Sequence, residues 1–142
     1  GDVAGASAAF VGGWVTYSNE MKAMELGVPR ELVARVGAVS EEVARAMSEG
    51  ALVNADADHG LGVTGVAGPS GGSEKKPVGT VFIARSWREG GMARTEVRRF
   101  LFRGERAMVR LRSVQSAMAM LHFGLEGEFG VRLLGERALK DD

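Results

Sequence analysis

The chain has 142 residues, enough for one domain with a substantial apolar core. Lysine plus arginine and aspartate plus glutamate number 18 each, so no global field draws the chain to nucleic acid or to an anionic membrane. The absence of cysteine excludes disulfides, a thiol nucleophile and thiolate metal sites and suits the cytoplasm, while no apolar run approaches the roughly 20 residues that span a bilayer.

The chain opens at glycine, in a run of small residues around Ser7, and we expect residues to precede it. Phe10 to Tyr17, rich in valine and aromatics, reads as a buried strand despite Gly12 and Gly13. Ser18 and Asn19 can cap a short helix ending at Gly27, which places Lys22 in the first turns after that strand. Pro29 opens a second short helix that Gly37 ends. Ser40, followed by Glu41 and Glu42, caps a third helix to about Asp56, with Val43, Met47, Ala51 and Val53 on its buried side.

His59 to Ala67 forms a short strand leading into the glycine-rich loop GVAGPSGGSEKKPVG. Gly79 to Ser86 is apolar enough for a central strand, and Gly90-Gly91 turns it back into an alternating strand from Ala93 to Phe102. A long helix follows from Gly104 to about Phe123, with Met108, Leu111, Val114, Met118 and Leu121 recurring at helical spacing. These elements define a domain over residues 1–123. Residues 124–142 form a C-terminal appendage, frayed or available for an oligomer contact. Strands alternating with helices imply a layered α/β architecture whose strand-to-helix loops gather the small-molecule site.

The loop after Val66 is rich enough in glycine for its amides to cradle an anion, phosphate first, although it is neither a P-loop nor a dinucleotide fingerprint; its alternative is a flexible connection. Lys22 is a solvated helix lysine or, if buried, a base of lowered pKa. Ser7 is a turn residue or a hydroxyl that a substrate can approach. Asp56, Asp58 and His59 lack metal-ligand spacing and read as turn chemistry, and His122 reads as a helix-end residue. Arg98, Arg99, Arg103, Arg106 and Arg110 form a basic cluster that is a solvated face or a phosphate contact.

Five segments, GDVAGASAAF, VTYSNEMK with LGVP behind it, GAVSEEVARAM, VTGVAGPSGGSEKKPVGTV and FRGERAMVR, occur in an order that resembles the CinA C-terminal domain family. The resemblance runs from Gly1 to about Phe123. It implies a three-layer α/β/α fold with a mixed sheet, and an amidohydrolase that converts nicotinamide mononucleotide to nicotinic acid mononucleotide and ammonia without metal or organic cofactor. It implies Ser7 as nucleophile, Lys22 as general base, Tyr17 and Thr64 as orienting or oxyanion-side residues, and Arg106 with Gly65, Gly68, Gly71 and Gly72 at the nucleotide. The partner implied is a small pyridine nucleotide, and the assembly a homo-oligomer. The family's N-terminal strand and helix, with an Ala-Glu-Ser-Cys-Thr-Gly-Gly motif, do not occur in these residues, and its Gly-Asp-Arg is here Gly104-Glu105-Arg106. Two other readings stand beside the enzyme: a silent nucleotide-binding module, and a self-association domain using a bare sheet edge with Leu133 and Leu134.

Overall fold

A computed structural model describes residues 3–139, so Gly1 and Asp2 of the first motif and the last three residues of the appendage lie outside it. The elements run α1 (Asn19–Leu26), α2 (Arg30–Val36), α3 (Glu41–Asn54), β1 (His59–Gly65), β2 (Thr80–Glu89), β3 (Met92–Leu101), α4 (Arg106–Leu125) and β4 (Glu136–Arg137), after a single 3₁₀ turn at Ala6–Ala8. The sheet order is β1-β2-β3-β4.

The expected three-layer α/β/α arrangement is present, with α3 packed on one face of the sheet and α4 on the other. β2 is buried from Thr80 to Ser86 on both faces, the run of a central strand. Val81 and Ile83 point with Phe100 and Phe102 toward Val109, Ala117 and Met120 of α4. Phe82 and Ala84 point with Val97 toward Ala44 of α3. α1 and α2 cover the outer side of α3 through Leu26, Val28 and Val33 packed on Val43 and Met47.

The expected mixed character of the sheet is corrected, since every pairing among the described residues is antiparallel. β2 and β3 close as a tight hairpin through Gly90 and Gly91, both left-handed. β1 reaches β2 through the glycine loop, and none of these links is a crossover of the kind parallel strands need. The strand expected at Phe10–Tyr17 is also absent. Phe10, Val11 and Val15 are exposed and only Thr16 of this stretch is buried, with Trp14 half-buried against the α1–α3 cluster. β-propensity reports packing against a neighbouring strand, and no described strand lies alongside this segment.

Both long helices form where expected; α3 buries Val43 and Met47 as expected and half-buries Ala51, whereas α4 turns a different face to the sheet. In α3 the buried set is Val43, Ala44, Met47, Ser48 and Leu52, while Val53 is 65% exposed. In α4 the buried set is Val109, Ser113, Ser116, Ala117 and Met120, leaving Met108, Leu111, Val114 and Met118 exposed. The sheet supplies Phe100, Phe102 and Ile83, and α4 meets it with Val109 and Met120 at the two ends of the contact and Ser113, Ser116 and Ala117 between them.

The same economy governs α3 against β1. A Cβ on Gly62 would lie 2.5 Å from the Ala44 carbonyl oxygen and 2.6 Å from Ser48 N, and one on Gly60 would lie 2.5 Å from the Ser48 oxygen. The helix therefore rests on bare strand backbone. Below it, the Ser48 hydroxyl bonds Ser86, and Ser86 bonds Thr95 Oγ1 at 2.8 Å, which ties α3, β2 and β3 together through satisfied hydroxyls.

The appendage folds back instead of fraying. β4 pairs with β3, Leu133 joins the α4-side core, and Arg98 donates to the carbonyls of Val131 (2.6 Å) and Phe129 (3.0 Å). Beneath this lies Arg85, 1% exposed, its Nε 2.9 Å from Glu96 Oε1 and its guanidinium 4.3 Å from the Trp87 ring centre and 5.2 Å from that of Phe129. Leu133 is thus committed within the chain, and Leu134 alone of the pair is exposed.

Replacing Gly62 by valine forces α3 off the sheet and is expected to cost about 1–3 kcal/mol or more. Urea denaturation checks this: the midpoint should fall with little change in slope, and an unchanged midpoint contradicts the packing described.

Candidate functional site

Ser7 lies on the 3₁₀ turn Ala6–Ala8, which follows a left-handed Gly5 and is held by Ala8 N–H to the Gly5 oxygen (3.0 Å) and Phe10 N–H to the Ala6 oxygen (2.7 Å). The side chain is exposed, and no hydrogen bond reaches its hydroxyl among the described residues. Tyr17 is 85% exposed at the end of the extended segment.

Ser18 starts α1 by accepting from Met21 N–H at 3.1 Å. That cap fixes the first turn and turns Lys22 inward, leaving it 7% exposed. Its Nζ donates to the Thr16 carbonyl oxygen at 2.8 Å. No carboxylate pairs with it among the described residues, and burial pushes its pKa below the usual lysine range. Thr16 contributes a second feature, a buried hydroxyl without a partner.

Thr64 is buried on the α3 side of β1 and its hydroxyl donates to the Ala38 carbonyl oxygen at 2.8 Å. Its proton is therefore engaged in this conformation and its lone pairs remain to accept. Gly65 ends β1. The loop then closes on itself through Gly79 N–H to the Val66 oxygen (2.7 Å) and Ser73 N–H to the Lys76 oxygen (2.9 Å). Gly68 has φ +83° and precedes a cis bond to Pro69. A Cβ on Gly68 would lie 2.5 Å from Val78 Cγ1, and one on Gly72 would lie 2.7 Å from Val78 N. Gly71 is exposed and also left-handed. The glycines thus let the loop fold tightly over Val78 while leaving its outer backbone bare.

Arg106, the first residue of α4, reaches this loop: its Nη1 donates to the Gly68 oxygen at 3.1 Å. The structure joins Arg106 to the glycine loop and Lys22 to the segment before Tyr17. It shows no hydrogen bond linking Ser7, Lys22, Tyr17 or Thr64 to one another among the described residues. A depression of about 480 Å³ at the start of α4 is bordered by Arg103, Glu105, Met108 and Arg112, and an apolar groove of about 380 Å³ runs between β1 and α4 past Leu61, Val63, Val114 and Met118. Neither includes Ser7 or Lys22. Of the other members of the basic cluster, Arg98 is bonded to the appendage and Arg99 to the Lys75 carbonyl oxygen at 3.5 Å, while Arg110 borders the groove. Asp56 pairs with Arg88 at 2.9 Å, and no cluster of metal-ligating side chains occurs among the described residues.

Sequence reasoning missed Thr16, Ala38 and Lys76. Two of these act through backbone carbonyls, which carry no residue signature. Lys76 Nζ donates to the Val36 carbonyl oxygen at 3.0 Å across 40 residues of chain, a contact that a lysine in a polar loop does not announce.

The CinA C-terminal domain family model matches residues 1–125. A CinA-like protein of Leptospira biflexa is 46% identical over 125 residues, which cover 88% of this chain and 29% of that protein. A CinA-like protein of Geotalea daltonii is 52% identical over 110 residues, covering 78% and 26%. The chain therefore spans about three tenths of the length of these curated relatives. Among solved structures, the competence/damage inducible protein CihA from Agrobacterium tumefaciens superposes with a TM-score of 0.77 at 40% identity, over 84% of this chain and 72% of that one. The competence damage-inducible protein A from Klebsiella pneumoniae gives 0.70 at 39%, over 79% and 67%. No helix among the described residues is long and apolar enough to cross a membrane. With family model, motif order, relatives and fold in agreement, the chain belongs to the CinA C-terminal domain family.

Proposed function

We propose that this chain is an amidohydrolase domain that hydrolyses the carboxamide of nicotinamide mononucleotide, giving nicotinic acid mononucleotide and ammonia. The observation that carries the reading is Lys22, a buried amine with one carbonyl partner and a pKa pushed down by desolvation. A lysine exists in that setting at a cost, and a neutral amine near physiological pH is what a serine nucleophile needs. In its neutral form, with one N–H donated to the Thr16 oxygen, the amine would keep its lone pair to take a proton.

In the proposed reaction neutral Lys22 removes the Ser7 proton and the serine oxygen bonds to the carboxamide carbon, opening its C=O to an oxyanion. The C–N bond then breaks and the Lys22 ammonium returns its proton to the departing nitrogen, releasing ammonia. Water, deprotonated by the same amine, attacks the acyl ester, and the serine oxygen leaves with a proton from Lys22. Tyr17 and the loop amides would serve the oxyanion, Thr64 orients through its bond to Ala38, and Arg106 with Gly65, Gly68, Gly71 and Gly72 would receive the nucleotide phosphate. No metal or organic cofactor enters these steps, and the partner is the small pyridine nucleotide.

A second reading, a module that binds the mononucleotide without turning it over, is favoured by the exposed Ser7 hydroxyl, which is not bonded to Lys22. One assay separates the two. Incubation with nicotinamide mononucleotide should release ammonia and nicotinic acid mononucleotide in equal amounts. Ser7→Ala and Lys22→Met should each lower that rate about 10²–10⁴-fold, with folding verified by circular dichroism. Ligand binding without ammonia from the unmodified chain would support the silent module.

The pH dependence has a definite sign. Catalysis needs Lys22 neutral, so the rate should climb with pH through its lowered folded pKa and level off before the usual lysine range, and Lys22→Met should abolish that limb. Stability follows the same direction. Between the folded and unfolded lysine pKa values the unfolded chain binds more protons, so stability rises with pH across that window. At neutral pH Lys22→Met should therefore leave the melting temperature unchanged or raise it, and a marked fall would contradict the buried, strained amine.

A further inference from the structure

Three consecutive carbonyl oxygens in the turn between α2 and α3 each accept a side chain from a different part of the chain. Val36 takes Lys76 Nζ at 3.0 Å, Gly37 takes the Ser40 hydroxyl at 3.0 Å, and Ala38 takes the Thr64 hydroxyl at 2.8 Å. Ser40 also caps α3 by accepting from Val43 N–H at 3.3 Å, so the turn is tied to the longest helix on that side of the sheet. The backbone at Gly37 has φ +80° and ψ 157°, which aims the carbonyls on either side of it to different neighbours.

Two other side chains tie the glycine loop among the described residues, Arg106 at its far end, to the Gly68 oxygen, and Arg99, whose Nη2 donates to the Lys75 carbonyl oxygen at 3.5 Å. The loop tip is a small turn in which Ser73 and Lys76 bond each other, Ser73 N–H to the Lys76 oxygen (2.9 Å) and Lys76 N–H to the Ser73 hydroxyl (3.1 Å). Gly71, Gly72, Ser73, Glu74 and Lys75 are exposed. Only the Lys76 ammonium connects this tip to the α2–α3 turn by a hydrogen bond among those described.

We propose that Lys76 is a positioning residue: it clasps the tip of the glycine loop to the α2–α3 turn, the same turn that fixes Thr64, and so holds the loop and Thr64 in one frame for an anionic substrate. The inference rests on reading the loop as the phosphate cradle of the mononucleotide. Lys76 acts through the loop backbone and does not itself touch the reacting atoms. A clasp of this kind contributes to binding by ordering the loop beforehand, so its loss appears in KM and leaves kcat nearly untouched.

The test uses the 142-residue chain with Lys76→Met and Lys76→Arg, in two measurements. Hydrogen–deuterium exchange at the Ser73 and Lys76 amides should speed up about tenfold in Lys76→Met, the loss of one charge-assisted hydrogen bond, and return toward the parent rate in Lys76→Arg, with α3 amides unchanged in both. Steady-state turnover of nicotinamide mononucleotide should show KM raised about tenfold in Lys76→Met, kcat within about twofold, and recovery of KM in Lys76→Arg. Unchanged loop exchange in Lys76→Met overturns the clasp. Faster exchange with an unchanged KM, or with kcat falling in place of KM, overturns the positioning role. If the parent chain turns over no mononucleotide, the deamidase reading fails instead. The exchange data then decide the clasp alone, and a tenfold rise reversed by arginine upholds it.

Discussion

The strand β2 is enclosed on both faces and along both edges, and the remaining elements are arranged to keep it so. Seven successive residues of it are buried, which requires a helix above, a helix below and a strand on each side. The two helices meet the sheet differently because the sheet is unequally furnished. Toward α4 it presents phenylalanines and branched side chains, and the helix answers with Val109 and Met120 flanking a stretch of serine and alanine. Toward α3, β1 presents glycine backbone, and the helix descends until its own carbonyls limit the approach. Close packing of this kind leaves little slack, and it is what sets the height at which Thr64 and the α2–α3 turn confront each other.

The candidate chemistry sits on the periphery of this frame. Lys22, Thr64 and Arg106 are each anchored by a hydrogen bond to a backbone carbonyl, of Thr16, Ala38 and Gly68 respectively. Carbonyls are indifferent to charge balance, so they orient a cationic or hydroxyl group without neutralising it. An aspartate in place of the Thr16 carbonyl would hold Lys22 equally well and raise its pKa, ending any use of the amine as a base. Ser7, by contrast, stands on a one-turn helix with an exposed extended segment behind it, and little in the described chain fixes its distance from the amine.

Much of the fold was legible because its signals are local. Ser18, Ser40, Gly27 and Gly37 mark helix ends through capping chemistry that needs only a few neighbours, and Gly90-Gly91 specifies a hairpin in the same way. What was misread depends on partners. Met108, Leu111, Val114 and Met118 form a flawless helical stripe, yet α4 buries the adjacent stripe because the sheet beneath already fills the volume. Phe10 to Tyr17 carries strand-forming residues without a described strand to pair with. At the candidate site, Lys22 and Arg106 were named through the motifs that carry the family resemblance, whereas Thr16 and Ala38 entered through main-chain oxygens that every residue owns. Lys76 required a contact spanning 40 positions, which no periodicity encodes.

The family match stops at residue 125, but the physical unit does not. Arg98 spends its guanidinium on the carbonyls of Val131 and Phe129, and Arg85 is roofed by the Phe129 ring. Homology and cooperativity therefore draw their borders in different places. A segment beyond the shared core has become part of the roof over two interior cations, and trimming the chain at the family border would strip Arg98 of two carbonyl partners and Arg85 of one aromatic face.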